Sequence, residues 1–235
     1  HPASQDRDYT TQAVRNNEFN INLAYIDAKI TGDRIRGRFA LQTGTSVQSN
    51  YAGEPTIGSN SGSSISRFIQ EGYAGYQVTP NWWIDAGIML SHIGMESWIS
   101  KDNLTYLRSL VADYSPYYQA GIRNEIKIND KWSAQILILN GWQNISENNS
   151  SKSIGMQLNY TPTSSLSFIY NNFIGHENGL RHFHDFIVKA NVSDFYTCGA
   201  QVDVGFQETN SQNHQWYGFS FINSFNLSPL VALNL

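Results

Sequence analysis

Charge is scarce in this chain. Asp, Glu, Lys and Arg make up 14% of its 235 residues, against roughly 25% in ordinary globular domains. The net charge is −4 and no block of Lys and Arg occurs, so the electrostatic footprint of a nucleic-acid-binding surface is missing. Long hydrophobic runs are absent as well. Aliphatic stretches such as Ile136 to Leu139 are short, which excludes a membrane-spanning helix of about twenty apolar residues. A lone cysteine, Cys198, excludes an internal disulfide framework. Residues 1–16 read as a polar tail without the apolar core of a signal peptide.

Aromatics, by contrast, reach 13%. They fall into short segments that alternate apolar and polar residue by residue. From Phe195 to Phe206, the side chains of Tyr196, Cys198, Ala200, Val202, Val204 and Phe206 share one parity, and those of Thr197, Gly199, Gln201, Asp203 and Gly205 the other. Successive strand side chains point to opposite faces, so this is a strand with one apolar and one polar side. Repeated around a closed sheet, the pattern is that of a transmembrane β-barrel with lipid outside and water inside. A mean hydropathy of −0.38 does not oppose this, because such a wall needs apolar side chains only at every second position.

The alternation predicts strands at 19–30, 34–43, 67–78, 82–92, 117–128, 132–142, 152–161, 166–174, 183–191, 195–206 and 215–225, with a twelfth starting near Leu230. Turn formers mark the short joints, among them Thr31-Gly32-Asp33, Thr79-Pro80-Asn81 and Asn129-Asp130-Lys131. The joints between them are predicted to be longer, at 44–66, 93–116, 143–151, 175–182 and 207–214. Strict alternation of short turns and long loops is what up-and-down outer-membrane barrels show. Residues 17–235 are therefore expected to form one barrel domain. The fold class is all-β, an antiparallel up-and-down transmembrane β-barrel. The last residues, Leu230 to Leu235, read as the middle of a strand, so the barrel is expected to be incomplete at its C-terminus, with about 11–12 strands present.

Parity assigns faces. The apolar side is expected to carry Phe19, Ile21, Leu23 and Tyr25 of the first strand and Tyr217, Phe219 and Phe221 of the eleventh. Trp82, Trp83, Trp132, Tyr160, Phe195 and Phe225 cluster beside the short turns, where an interfacial girdle belongs. The opposite face carries Arg34, Arg36, Arg38, Glu71, Asp85, Arg123, Glu125, Lys127, Asp185, Lys189 and Asp203. A charge at the bilayer midplane costs roughly 2–4 kcal/mol, so these are candidate pore-lining residues. Their two signs nearly cancel, and strong ion selectivity is not expected. Local pairing across strands is the alternative reading.

The 93–116 loop carries Glu96, Trp98, Tyr106 and Arg108 and is long enough to fold inward as a constriction, or to cap the barrel mouth. His176, His182 and His184 surround one loop, but without further ligands at fixed spacing they read as solvated loop histidines and no metal site is assigned. Ser91-His92 invites a lipid-hydrolase reading. Adjacent strand residues face opposite ways, so that pair cannot form a nucleophile–base hydrogen bond within one strand. No enzymatic activity and no cofactor is expected.

The run Asn81-Trp-Trp-Ile-Asp-Ala-Gly-Ile-Met-Leu-Ser-His-Ile-Gly-Met-Glu-Ser97 resembles the OmpL-like β-barrel porins, the β-barrel porin-2 family, particularly its Bacteroidota-type members. The likeness continues through Leu107 to Arg123 and Leu139-Asn-Gly-Trp-Gln-Asn-Ile145, and Asn50-Tyr-Ala-Gly-Glu-Pro55 also matches. The resemblance implies a porin of a Gram-negative outer membrane that passes ions and small hydrophilic solutes passively. Its contacts are then membrane lipid and solute, with no nucleic acid. A non-conducting barrel whose external loops bind a ligand or partner is the alternative.

Overall fold

The computed structural model describes residues 6–209 and 212–235. Residues 1–5 of the polar tail and 210–211 of the predicted 207–214 loop lie outside the described residues. The strands are β1 (Ala24–Thr31), β2 (Ile35–Thr43), β3 (Ile69–Thr79), β4 (Trp82–Leu90), β5 (Tyr118–Lys127), β6 (Trp132–Leu139), β7 (Ser153–Thr163), β8 (Leu166–His176), β9 (Leu180–Asn191), β10 (Tyr196–Glu208), β11 (Asn213–Ser228) and β12 (Val231–Asn234). They form one sheet in sequence order from β1 to β12. Every ladder is antiparallel. Three short helices, α1 (Thr45–Asn50), α2 (Ser63–Ser66) and α3 (Leu110–Asp113), sit in the connections. No helix among the described residues is long and apolar enough to cross a membrane.

The short turns follow their chemistry. Asn129 Oδ1 accepts the backbone N–H groups of Lys131 and Trp132, closing the β5–β6 turn, as an Asx side chain does. Pro80-Asn81 alone joins β3 to β4. At this end of the sheet the rings of Trp132 and Tyr160 stack at 4.3 Å and those of Phe195 and Phe225 lie 5.8 Å apart, forming part of the predicted girdle, and Tyr196 joins it by stacking on Phe225 at 4.9 Å. Trp83 departs from it: sharing Asp85's parity, it points inward, with the Arg36 guanidinium 4.6 Å from its ring.

One sheet face is an apolar surface open to the surroundings. Tyr217 is 83% exposed and Phe219 65%, as parity predicts. The first strand differs from expectation. Tyr25 shares the inner face with Asp27 and packs against the buried cluster that includes Val47, Tyr51 and Trp98, while Ile26 and Ile30 point outward. The alternation at 19–23 belongs to a segment that precedes β1, so counting it with the strand inverted the faces.

Two predicted long loops are shorter than expected, because the strands extend into them. β8 and β9 are separated only by residues 177–179, while β10 runs to Glu208 and β11 starts at Asn213. Arg181 and Gln207, polar residues read as loop, are paired across the β9–β10 ladder. The long connections are 44–68, 91–117 and 140–152.

The inner face is not uniformly polar. Met89, Ile93, Leu137, Leu139, Phe173 and Phe183 form a buried apolar cluster on it, closed by Trp142 edge-on to Phe173 and Phe183 at 5.0 and 4.8 Å. These side chains occupy the inward parity of their strands, and Ile93 from the 91–117 connection completes their burial.

Candidate functional site

Two kinds of wall line the inside of the sheet. Across β1–β5 the charges are paired. Arg36 donates from Nε and Nη2 to the two oxygens of Asp85 at 2.7 and 2.6 Å, and from Nη2 to Glu125 at 2.8 Å. Arg123 donates to the same Asp85 at 2.9 and 2.7 Å. Arg38 holds Asp27 in a fork at 2.9 Å on both arms and pairs with Glu71. Asp85 is fully buried, and a Cβ at Gly75 would lie 2.1 Å from its Oδ1, so this glycine leaves room for the network. Bidentate geometry makes these the stronger sort of ion pair. Arg34 and Lys127 lie at the short-turn rim instead, Arg34 on the carbonyls of Gln77 and Val78 and Lys127 on Asp130.

Across β7–β10 the wall receives the 91–117 connection. Gln157 donates to the carbonyl of His92 at 2.9 Å, and the His92 ring is hydrogen-bonded to the Asn172 carbonyl at 3.0 Å and to Gln119 at 2.8 Å. The Gly94 N–H donates to Asp185 Oδ2 and the Met95 N–H to Gln201 Oε1, at 2.8 and 2.9 Å. Lys189 Nζ donates to the Met95 carbonyl at 3.0 Å. Gly94 has φ +99°, a value that suits glycine. Inward-facing glycines mark the track. A Cβ at Gly155 would lie 2.6 Å from the His92 ring, one at Gly199 2.5 Å from Met95 Sδ, and one at Gly218 3.0 Å from Val111.

The loop residues singled out by sequence, Glu96, Trp98, Tyr106 and Arg108, lie in separate surroundings. Trp98 donates to Gln42 at 3.0 Å and is buried with Tyr51, Tyr117 and Tyr118. Arg108 is buried, lies 3.8 Å over the Tyr117 ring and donates to Thr11 at 2.7 Å. Burial pushes its guanidinium down from the ordinary arginine range. Glu96 accepts the Ser109 N–H at 3.1 Å, and Tyr106 is exposed, accepting from Asn22 at 2.8 Å. The residues that reach the wall are therefore His92, Gly94 and Met95, of which only His92 carries a titratable side chain.

His182 lies in β9 rather than in the predicted 175–182 loop, and His184 lies in the same strand as expected, its Nδ1 2.7 Å from the Tyr170 hydroxyl. Among the described residues no group of three or more His, Cys, Asp or Glu could hold a metal ion. Ser91 Oγ accepts the Ile93 N–H at 3.1 Å, while the His92 ring nitrogens are engaged by Gln119 and Asn172.

Two cavities flank the inserted segment. One of about 930 Å³ lies toward the long connections, lined by Val111, Trp142, Arg181, Asp203 and Trp216 among others. The other, about 490 Å³, lies toward the short turns, where Met95, Glu96, Asn159, Ser165, Lys189 and Thr197 contribute to its lining.

A family profile described as "Putative beta-barrel porin-2, OmpL-like" matches residues 1–235. The chain belongs to the OmpL-like β-barrel porins. This OmpL-like porin is a protein of the bacterial outer membrane, its apolar outer face in contact with lipid. Among solved structures it is similar to in-vitro folded OmpT, an outer membrane protein of Vibrio cholerae, at 11% identity over 88% of this chain and 74% of that chain, TM-score 0.43. A loop L8 deletion mutant of that protein gives 10% identity over 88% and 80%, TM-score 0.42. Its trimer form gives 10% over 93% and 81%, TM-score 0.44. No curated protein matches this OmpL-like porin.

Proposed function

We propose that this porin lets ions and small hydrophilic solutes diffuse passively through the space between its inner wall and the 91–117 connection, with no enzymatic step and no cofactor. The observation that carries the reading is the pair of cavities on the two sides of the inserted segment, stacked along β9–β11. Solute passes from one to the other beside Gly94 and Met95. The β1–β5 wall contributes little net field because its arginines are matched by carboxylates, so discrimination between cations and anions is weak.

A second reading has an observation of its own. The buried apolar cluster around Phe173 and Phe183 fills part of the interior, which suits a barrel that conducts little and uses its long connections to hold a ligand. Single-channel recording of the full-length protein in a planar bilayer separates the two. Discrete steps with a small reversal potential in a salt gradient, and larger steps after removal of residues 98–108, are expected for the diffusion pathway. Silence from a folded, inserted barrel favours the ligand-holding reading.

A further inference from the structure

Among the described residues, Arg181 is the one Lys or Arg side chain lining the larger cavity, and it belongs to no ion pair. Elsewhere on the inner wall Arg36, Arg38 and Arg123 each have a carboxylate partner. The acids around the cavity are engaged by other groups. Glu177, which acts on Arg181 electrostatically, accepts the Trp142 N–H at 2.6 Å and forms no ion pair with the guanidinium. Asp113 accepts the Thr11 hydroxyl at 2.7 Å and is paired with Arg108. Asp203 accepts from Gln201 at 3.0 Å and is hydrogen-bonded to the facing Asp185, so those two acids share a proton. Asp203 also stands four residues along β10 from Gln207, the register partner of Arg181, about 14 Å at 3.4 Å per residue.

Neutral groups hold the unpaired cation in place. Its Nε donates to Gln207 Oε1 at 2.6 Å. The Gln207 amide is itself fixed, because its Nε2 donates to the carbonyls of Glu177, Gly179 and Glu208 at 2.7, 3.2 and 2.8 Å. Gly179 lets the turn between β8 and β9 close on that amide: its φ is +135°, and a Cβ there would lie 1.9 Å from the Glu208 carbonyl oxygen. The guanidinium carbon lies 5.1 Å from the Trp142 ring centre and 5.7 Å from that of Trp216, within cation–π range. Trp216 lies against the wall, since a Cβ at its ladder partner Gly205 would meet the indole Cε2 at 2.1 Å. Nη1 and Nη2 of Arg181 make no hydrogen bond among the described residues, and neither is sealed from solvent as Nη1 of Arg108 is.

These features select a ligand. With Nε occupied, the guanidinium presents its two terminal nitrogens end-on, a fork that a carboxylate fills with two parallel hydrogen bonds. One cation matches one negative charge, and a phosphate dianion would be left with a charge uncompensated. Beside the fork the lining is apolar, supplied by Leu110, Val111, Trp142 and Trp216. An apolar surface around a few oriented polar groups is the usual make-up of a small-molecule pocket. At about 930 Å³ the cavity holds a small amphipathic acid with water beside it.

We propose that this cavity is a binding subsite for small monocarboxylates with an apolar body, the carboxylate on Nη1 and Nη2 of Arg181 and the body against Trp142 and Trp216. The assignment rests on the diffusion reading as a stopping place along that path, but the site's occupancy is measurable without conduction.

The test is calorimetric titration of the full-length protein, folded in a nonionic detergent, with 3-phenylpropionate and with 3-phenylpropanamide, which has the same body and no charge. The acid is expected to bind at least about tenfold more tightly, a difference of about 1.4 kcal/mol. Arg181→Gln should erase most of that ratio, whereas Trp216→Leu should weaken both compounds and leave the ratio standing. Equal affinity for acid and amide, acetate binding as tightly as 3-phenylpropionate, or a ratio that survives Arg181→Gln overturns the proposal. The comparison of acid, amide and acetate on the unaltered protein stands even where a variant fails to fold. Bilayer recording separates the two readings: acid binding by a silent channel keeps the subsite and removes the diffusion pathway, whereas a conducting channel that treats acid and amide alike keeps the pathway and removes the subsite.

Discussion

The carboxylate of Glu54 accepts the backbone N–H of Ile145 at 3.0 Å, joining two connections far apart in the chain. It also accepts the Ser146 N–H at 2.8 Å and the Tyr118 hydroxyl at 2.8 Å, and Tyr118 stacks on Tyr51 with ring centres 4.1 Å apart. Stretches 50–55, 107–123 and 139–145, which carry the family resemblance, thus meet around one buried carboxylate. Their sequence specificity has a physical cause: a buried acid needs its donors in fixed places.

Replacing Glu54 with alanine strands those donors. Unsatisfied buried groups of this kind cost about 1–3 kcal/mol each, and the ladder between β5 and β6 does not depend on them. The expected outcome is local loosening: limited proteolysis of the folded protein should cut within 44–68 and 140–152 faster, with the strand content in circular dichroism unchanged.

Asp85→Asn should act on the sheet itself. Arg36 and Arg123 both rest on this carboxylate, and removing one partner of a buried ionic network leaves charge without compensation. Both arginine side chains keep some solvent contact, 24% and 17%, which limits the cost to about 2–4 kcal/mol. Urea unfolding from detergent should show the loss, and the reversal potential should move toward anion preference.

How much of this was legible in the sequence depends on the kind of interaction. The run from Tyr196 to Phe206 announces its faces because one side meets lipid and the other does not, and the structure keeps that parity. Tyr25 was misplaced because apolar alternation continues upstream of β1 without being part of it. The extension of β9 and β10 to Arg181 and Gln207 is hidden because both residues are polar at the mouth of strands, where polar residues also belong to loops. Hardest to see was the docking of the 91–117 connection. Apart from the His92 ring on Gln119 and Asn172, its wall contacts run through the backbone of His92, Gly94 and Met95, and a backbone amide leaves no trace in side-chain pattern. The readable signal was indirect, in the glycines on the inward parity of β7, β10 and β11.

Seating of that connection should depend on pH through His92. Burial pushes its imidazole below the ordinary value of 6.5, and the nearby Arg123 charge acts in the same direction. The seated ring is therefore neutral, whereas a released ring takes a proton near its usual pKa of about 6.5. Between the lowered value and 6.5 the released form binds more protons, so seating strengthens as pH rises and is lost as pH falls below 6.5. Open-channel current noise should grow on going from about pH 7.5 to about pH 5, and His92→Gln should flatten that dependence.

Widening the inner-wall glycines tests the same docking from the opposite side. A Cβ at Gly155 would sit 2.6 Å from the His92 ring, and one at Gly199 2.5 Å from Met95 Sδ. Methionine is flexible and can yield at modest cost, whereas the His92 ring is fixed by hydrogen bonds to Gln119 and Asn172. Gly155→Val should therefore expel the segment and raise single-channel conductance, while Gly199→Ala should change it little. If the segment only capped the mouth, neither substitution would alter conductance, because neither strand position lies in a cap. A larger effect from Gly199→Ala than from Gly155→Val would place the anchor at Met95 instead of His92, and the pH dependence expected of His92 should then disappear with it.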